Sequence, residues 1–184
     1  ILRAHDMQSG QQKWIVDKVS NEFGHKTSMM SPDGSIVVVR DYDKNSILRA
    51  HDMKTGEQKW TVGQVTENSD GTGELLSPDG SIVLVRDYKK NSILRAHDMK
   101  TGQQKWTVEK VTCGCSPKIS PDGSIVLIRD YDKNSILRAH DMQSGQQKWI
   151  VDKVSNEFGH KTSMMSPDGS IVVVRDYDKN SILR

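Results

Sequence analysis

The chain predicts an all-β fold assembled from stacked four-stranded antiparallel sheets, and three observations carry that prediction. A fourteen-residue phrase, ILRAHDMQSGQQKW, opens the sequence, returns letter for letter at residues 136–149, and has close variants at residues 47–60 and 93–106. The turn sequence Ser-Pro-Asp-Gly recurs at residues 31–34, 77–80, 120–123 and 166–169. Between these markers lie short runs of β-branched and apolar residues with no sustained 3.6-residue period, so strands are expected and helices are not. Aligned on Ile-Leu-Arg, the units span 1–46, 47–92, 93–135 and 136–181, with a stub at 182–184. Residues 1–49 and 136–184 are identical, which points to recent duplication and to a larger period of 135 residues.

Within a unit the strands follow from turn chemistry. The segment GHKTSMM at 24–30, or GTGELL at 71–76, supplies a first strand. Ser-Pro-Asp-Gly then makes a tight turn, since proline presets φ and glycine accepts a positive φ. SIVVVRD at 35–41 is apolar on both faces, which fits a strand covered from both sides. YDKN at 42–45 is a polar hairpin connection. SILRAHDM at 46–53 alternates, with Leu48 and Ala50 on one face and Ile47 and Met53 on the other. KTG at 54–56 turns the chain again, and EQKWTV at 57–62 makes a further strand. Four short antiparallel strands every 43–46 residues form a β-propeller blade, here in a ring, in part of a larger ring or in an open repeat array. One blade has no means of covering both of its faces, so neighbours must stack on it. A β-solenoid is the rival, but its coils run shorter and lack these hairpins.

Composition narrows the class. Hydrophobic residues are 34% and charged residues 27% of the 184, and no apolar run approaches the ~18 residues a spanning helix needs. The 26 basic and 24 acidic residues are interspersed along the chain, which argues against nucleic acid, whose binding needs clustered basic residues. Cys113 and Cys115 form a lone C-x-C in one unit, read as two free thiols or a strained local disulfide, because a zinc site needs about four ligands. A chain that starts at Ile1, inside a repeat, reads as a processed or excerpted piece, so missing targeting signals carry no information.

The phrase AHDMKTGEQKW at 50–60 resembles the tryptophan-docking motif of quinoprotein (PQQ-like) propeller repeats, A-x-D-x-x-x-G-x-x-x-W. Its fixed places are filled by Ala50, Asp52, Gly56 and Trp60; by Ala4, Asp6, Gly10 and Trp14; by Ala96, Asp98, Gly102 and Trp106; and by Ala139, Asp141, Gly145 and Trp149. The upstream SPDGSIVVVRDYDKNSILRAHD looks like a WD40 repeat, with His51-Asp52 where Trp-Asp usually falls. The resemblance implies that each tryptophan stacks between blades against a peptide of the next motif. A wide flat ring seals the groove between sheets while its N–H still reaches a polar partner. It also implies that the four aspartates accept backbone N–H bonds in the glycine turn that follows. An extracellular or periplasmic location is favoured by the same resemblance.

Several residues invite a chemical reading. His5, His51, His97 and His140 recur once per unit, but on the third strand neighbours in the series stand too far apart to share an ion. Asp41, Asp43 and Asn45 match the D-x-D-x-N start of a calcium loop, and Asp52 falls at the twelfth position. Against this, Ser46 replaces the glycine of position six, Arg49 sits at position nine, and Lys89 replaces the middle carboxylate in the second unit. Calcium is therefore a weaker expectation than a solvated hairpin, and no other cofactor is implied. Catalysis needs different groups converging on one place; these near-symmetric units offer no unique nucleophile, base and orienter. The units differ most at 20–28, 66–74 and 112–118, the loops between blades. Variable loops on a fixed scaffold are where recognition sits, so Phe23, His25, Phe158 and His160 are candidate contact residues.

Residues 1–20 supply the two outer strands of a blade, and the chain from about Gly159 supplies two inner ones. Closing the ring pairs the termini into a fourth blade, in which Ile182-Leu183-Arg184 competes with Ile1-Leu2-Arg3 for one place. A larger ring completed by several chains, or a longer array forming a filament, avoids that competition. The expected role is a non-enzymatic structural or protein-interaction scaffold whose partners are itself or neighbouring repeats. A calcium- or ligand-binding propeller and a fragment of a PQQ-dependent dehydrogenase are the alternatives.

Overall fold

In a computed structural model of the chain, the described residues are 1–19, 28–41, 47–63, 65, 74–87, 93–111, 117–130, 136–154 and 164–174. They form strands and turns with no helix among them; accordingly, no helix is long and apolar enough to cross a membrane. The elements are β1 (Leu2–His5), β2 (Gln12–Val16), β3 (Ser28–Met30), β4 (Ile36–Asp41), β5 (Ile47–Asp52), β6 (Gln58–Val62), β7 (Glu74–Leu76) and β8 (Ile82–Asp87). They continue as β9 (Ile93–Asp98), β10 (Gln104–Val108), β11 (Lys118–Ile119), β12 (Ile125–Asp130), β13 (Ile136–Asp141), β14 (Gln147–Val151), β15 (Met164–Met165) and β16 (Val172–Val173).

Three complete sheets, β3-β4-β5-β6, β7-β8-β9-β10 and β11-β12-β13-β14, are antiparallel meanders in sequence order. They are flanked by two separate two-stranded sheets: β1-β2, which carries the last two strands of a blade, and β15-β16, which carries the first two. In each complete sheet the last pairing holds a bulge, placing Ala50 opposite Trp60 and His51 opposite Gln58, with the same shift in β9-β10 and β13-β14. The bulge adds local twist.

The core lies between the sheets, in layers. Val37 and Val39 of β4 pack with Trp14, Val16 and Val19 on one side. Ile36 and Val38 of the same strand pack with Val83, Val85 and Met99 on the other. The next strand of this kind, β8, repeats the division: Val83 and Val85 face back, while Ile82 and Leu84 face forward onto Val126, Ile128 and Met142. Because consecutive side chains of a strand point to opposite faces, a strand caught between two sheets is apolar at every step, as β4 is. That strand is buried from Ile36 to Asp41.

Its charged end was not anticipated. Arg40, Arg86 and Arg129 are 4%, 1% and 5% exposed at the close of strands read as apolar. Each has polar partners, and Arg129 donates to the Val154 carbonyl at 3.2 Å. A guanidinium buried this deeply needs such partners, because an uncompensated charge away from water is costly.

Candidate functional site

The surface that recurs most faithfully is the junction between successive sheets, and it is built from four contacts. The first is the indole. Trp14 donates its Nε1–H to the Met53 carbonyl at 2.9 Å, Trp60 to Met99 at 2.9 Å and Trp106 to Met142 at 2.8 Å. Each ring lies on the glycine of the next hairpin. A Cβ added at Gly56, Gly102 or Gly145 would stand 2.5–2.6 Å from an indole carbon, closer than real side chains come. These glycines also hold φ between 70° and 76°, so the position demands glycine on two counts.

The hairpin that receives the ring is shaped by its aspartate. Asp52 Oδ1 accepts the N–H of Lys54 and of Thr55, the Asp52 carbonyl accepts the Gly56 N–H, and Lys59 pairs with Oδ2 at 3.2 Å. Asp6, Asp98 and Asp141 make the same turn. The Thr55 N–H holds the Asp52 carboxyl below its usual range, as the Ser9 and Ser144 N–H groups do for Asp6 and Asp141. At Asp98 burial pushes upward and the Thr101 and Lys100 N–H bonds outweigh it.

The second contact is an arginine from the third strand of a sheet. Arg49 Nη2 donates to the carbonyls of Asp17 and Lys18 in the preceding unit at 2.6 and 3.2 Å, and Arg138 to those of Glu109 and Lys110 at 3.0 and 3.3 Å. Arg95 reaches the Gly63 carbonyl at 3.0 Å. The receiving bend is strained: Lys18, Lys110 and Lys153 sit at φ 57°, 58° and 58°, a left-handed conformation that non-glycine residues rarely adopt. The third contact stacks the Ser-Pro-Asp-Gly turns, so that a Cβ at Gly80 would strike the ring of Pro32 and one at Gly123 would come 3.2 Å from that of Pro78. Within each turn a serine hydroxyl bonds the aspartate; Ser31, Ser120 and Ser166 hold Asp33, Asp122 and Asp168 down to about 2. The fourth contact lies inside the sheet and positions the hairpin: Met53, Met99 and Met142 N–H bond the Ser35, Ser81 and Ser124 carbonyls at 2.8–2.9 Å.

The structure separates the histidines. His51, His97 and His140 are buried, each directing Nδ1 at the carbonyl of its own hairpin glycine at 2.9–3.0 Å. A carbonyl only accepts, so Nδ1 carries a proton. The buried Nε2 atoms have no hydrogen-bond partner among the described residues, and burial pushes the pKa of His97 and His140 down. His5 makes the same bond from an exposed position.

Asp41 is buried and pairs with Arg49 at 3.3 Å, as Asp130 does with Arg138. Asp43 and Asn45, the other two members of the calcium-like motif, lie outside the described residues, as do Phe23, His25, Phe158, His160, Cys113 and Cys115. A cleft of about 550 Å³ between the second and third sheets is lined by Asp33, Asp52, Asp79 and Asp98 with Lys59 and Lys100. All four carboxylates are engaged by their own turns. Among the described residues no three of His, Cys, Asp and Glu converge to hold an ion.

The arginine contact and its lysine bend escaped the sequence reading. A signal was available: Gly63 stands where the first unit has Asp17, and glycine at one copy of a repeated position marks a bend.

Blades stacked in this way, with a tryptophan docked on each following hairpin, match a known family. The model described as outer membrane protein assembly factor BamB, of the PQQ-like repeats, covers residues 1–177. The chain belongs to that family.

Among solved structures, it is similar to BamB from Moraxella catarrhalis, with 20% identity, TM-score 0.52, and 82% of this chain and 42% of that chain covered. The β-propeller domain of the Trilobed protease from Pyrococcus furiosus, described as having an open velcro topology, is 15% identical with TM-score 0.52 and coverage of 83% and 49%. Kuenenia stuttgartiensis hydrazine synthase is 18% identical with TM-score 0.55 and coverage of 95% and 49%. These likenesses establish the β-propeller fold, and the chain spans less than half the length of each of the three. No curated protein matches the sequence.

Proposed function

We propose that the chain is a non-enzymatic scaffold that binds proteins, working in the periplasm or another extracytoplasmic compartment, and that its blades also associate with blades of the same sequence. One observation carries this reading. The polar groups that recur in each unit are bound to backbone: histidine to its hairpin, aspartate to its turn, arginine to the preceding blade. On that reading the sixteen motif residues, from Ala4, Asp6, Gly10 and Trp14 through Ala139, Asp141, Gly145 and Trp149, dock blade on blade. Partners are then met by the segments between blades, where Phe23, His25, Phe158 and His160 are the contact positions. The family's description as an assembly factor supports a protein partner.

The dehydrogenase reading is tested directly. Protein supplied with PQQ and calcium is expected to show no dye-linked oxidation of alcohols or sugars above the protein-free rate. Saturable, quinone-dependent turnover overturns the scaffold.

A further inference from the structure

We propose that His97 and His140 make the two seams between complete sheets acid-sensitive: when either buried imidazole takes a second proton, the preceding blade comes away from the hairpin on which it is docked, and blades part before they unfold. The device adds to the scaffold reading and does not rest on it.

Each of these rings stands in a seam. In β9 His97 lies opposite Val83, and in β13 His140 lies opposite Val126. Val83 packs with Trp60 and Val62 of the blade before, and Val126 with Trp106 and Val108. Directly opposed residues share a face of the sheet, so each imidazole is on the side of the preceding blade. Both residues are 5% exposed. The ring also fastens the docking surface itself. His97 Nδ1 donates to the Gly102 carbonyl, and Gly102 is the residue on which the Trp60 ring rests while its N–H bonds the Met99 carbonyl. His140, Gly145, Met142 and Trp106 repeat the arrangement.

The seam holds nothing to receive a second proton. Nε2 of each ring is buried with no hydrogen-bond partner among the described residues. A lone pair left dry there costs far less than a cationic N–H in the same place. On its own strand His97 has Arg95 two residues away on the same face, and this cation opposes protonation, as Arg138 does for His140. The adjoining strands set Val83 and Gln104 opposite His97, and Val126 and Gln147 opposite His140. From the blade facing His97, β3 gives Met29 and β6 gives Trp60 and Val62. By strand alternation its charged groups on that side are Arg40, already partnered, and Asp52, whose carboxylate is taken by the Lys54 and Thr55 N–H groups and by Lys59. For His140 the corresponding groups are Arg86, also partnered, and Asp98, which accepts the Lys100 and Thr101 N–H groups. Burial holds both rings below their ordinary 6.5, so a parted seam, where the ring regains water, binds the proton first. The seams are therefore fully held above pH 6.5 and loosen as pH falls through the lowered values.

The test follows the indole N–H signals of Trp60 and Trp106 by NMR in the 184-residue chain, with the backbone amides of β8, β9, β12 and β13 reporting on the sheets themselves. The pH is taken from about 7.5 to about 5, which stays above the ordinary 3.8 of the turn aspartates. Corrected for the intrinsic pH dependence of exchange, the two indoles are expected to lose protection severalfold while the ladder amides keep theirs. His97→Asn places an amide N–H where Nδ1–H stood and does not titrate. It should abolish the response at Trp60 and leave that at Trp106; His140→Asn should do the reverse. If either variant fails to fold, the imidazole signals of the unaltered chain decide: His97 and His140 must take up their protons over the pH range in which the indoles lose protection, and titration outside that range overturns the proposal. So do indoles that keep full protection throughout, a response that the asparagine variants retain, and indoles and ladder amides that open together.

Discussion

Trp106 and Trp149 occupy the same place in the same phrase, and their surroundings differ. Trp106 is 7% exposed, sits on Gly145 and bonds the Met142 carbonyl, and its strand-mate Val108 is buried. Trp149 is half-buried, no carbonyl among the described residues takes its indole N–H, and β14 beyond it is exposed. The sequence of one unit therefore does not bury its own indole; the hairpin of the next unit does. Stability in such a stack is a sum over junctions, and the interior and open junctions make a matched pair in which to measure it.

The largest separation is expected from the rings themselves. Trp106→Ala removes a large buried side chain and should lower unfolding stability by about 4 kcal/mol in a urea titration. Trp149→Ala in dilute, monomeric protein should cost about 1 kcal/mol, since most of its contacts are absent. Equal losses would mean that the indole's worth lies within its own blade.

The glycines give a sharper version. Gly145→Ala meets both a positive φ and the indole, at about 3 kcal/mol, whereas Gly10→Ala meets the φ alone, at about 1 kcal/mol. Next comes the arginine. Arg138→Met loses its carbonyl bonds and leaves Asp130 without this ion pair, and should cost about 2 kcal/mol by the same titration; Arg3→Met should be neutral within error.

Acid probes the interior on a milder scale. His97 and His140 have folded pKa values lowered from 6.5, so the unfolded chain binds the proton first. Their contribution is complete above pH 6.5 and falls away as pH drops through the lowered values. The turn aspartates, with folded pKa values also lowered, add a second loss that begins near 3.8 and runs to about 2. A two-stage fall in melting temperature between pH 7 and pH 2 checks both, and His97→Gln should remove part of the first stage. The smallest effect is calcium: with Asp41 already paired to Arg49, millimolar calcium or a chelator should leave the melting temperature unchanged.

Much of the fold was legible because a propeller blade is a local object. Turn residues, two-sided apolar strands and a fixed period are written within one unit, and β4 to β6 fall within a residue or so of the expected spans. The Arg49 contact to Asp17 and Lys18 was not legible, since it joins a side chain to backbone carbonyls some thirty positions away and carbonyls leave no trace in sequence. The burial of Arg40 was not legible for a related reason: the charge of a side chain is written in the sequence, but the partners that let it be buried are not. Composition was equally silent about the histidines, which appear as a series in the text and as isolated hairpin fasteners in space.

The alternation along β4 carries a further consequence. Val38 and Val39 are covalent neighbours but belong to different layers, whereas Val38 and Val85 share one across a gap of one blade's worth of sequence. Each unit thus brings half of the seam before it and half of the seam after it. A unit copied and spliced into the middle of the gene arrives with both seams already fitted, and the near-identical phrases along this chain are what such painless lengthening would leave behind.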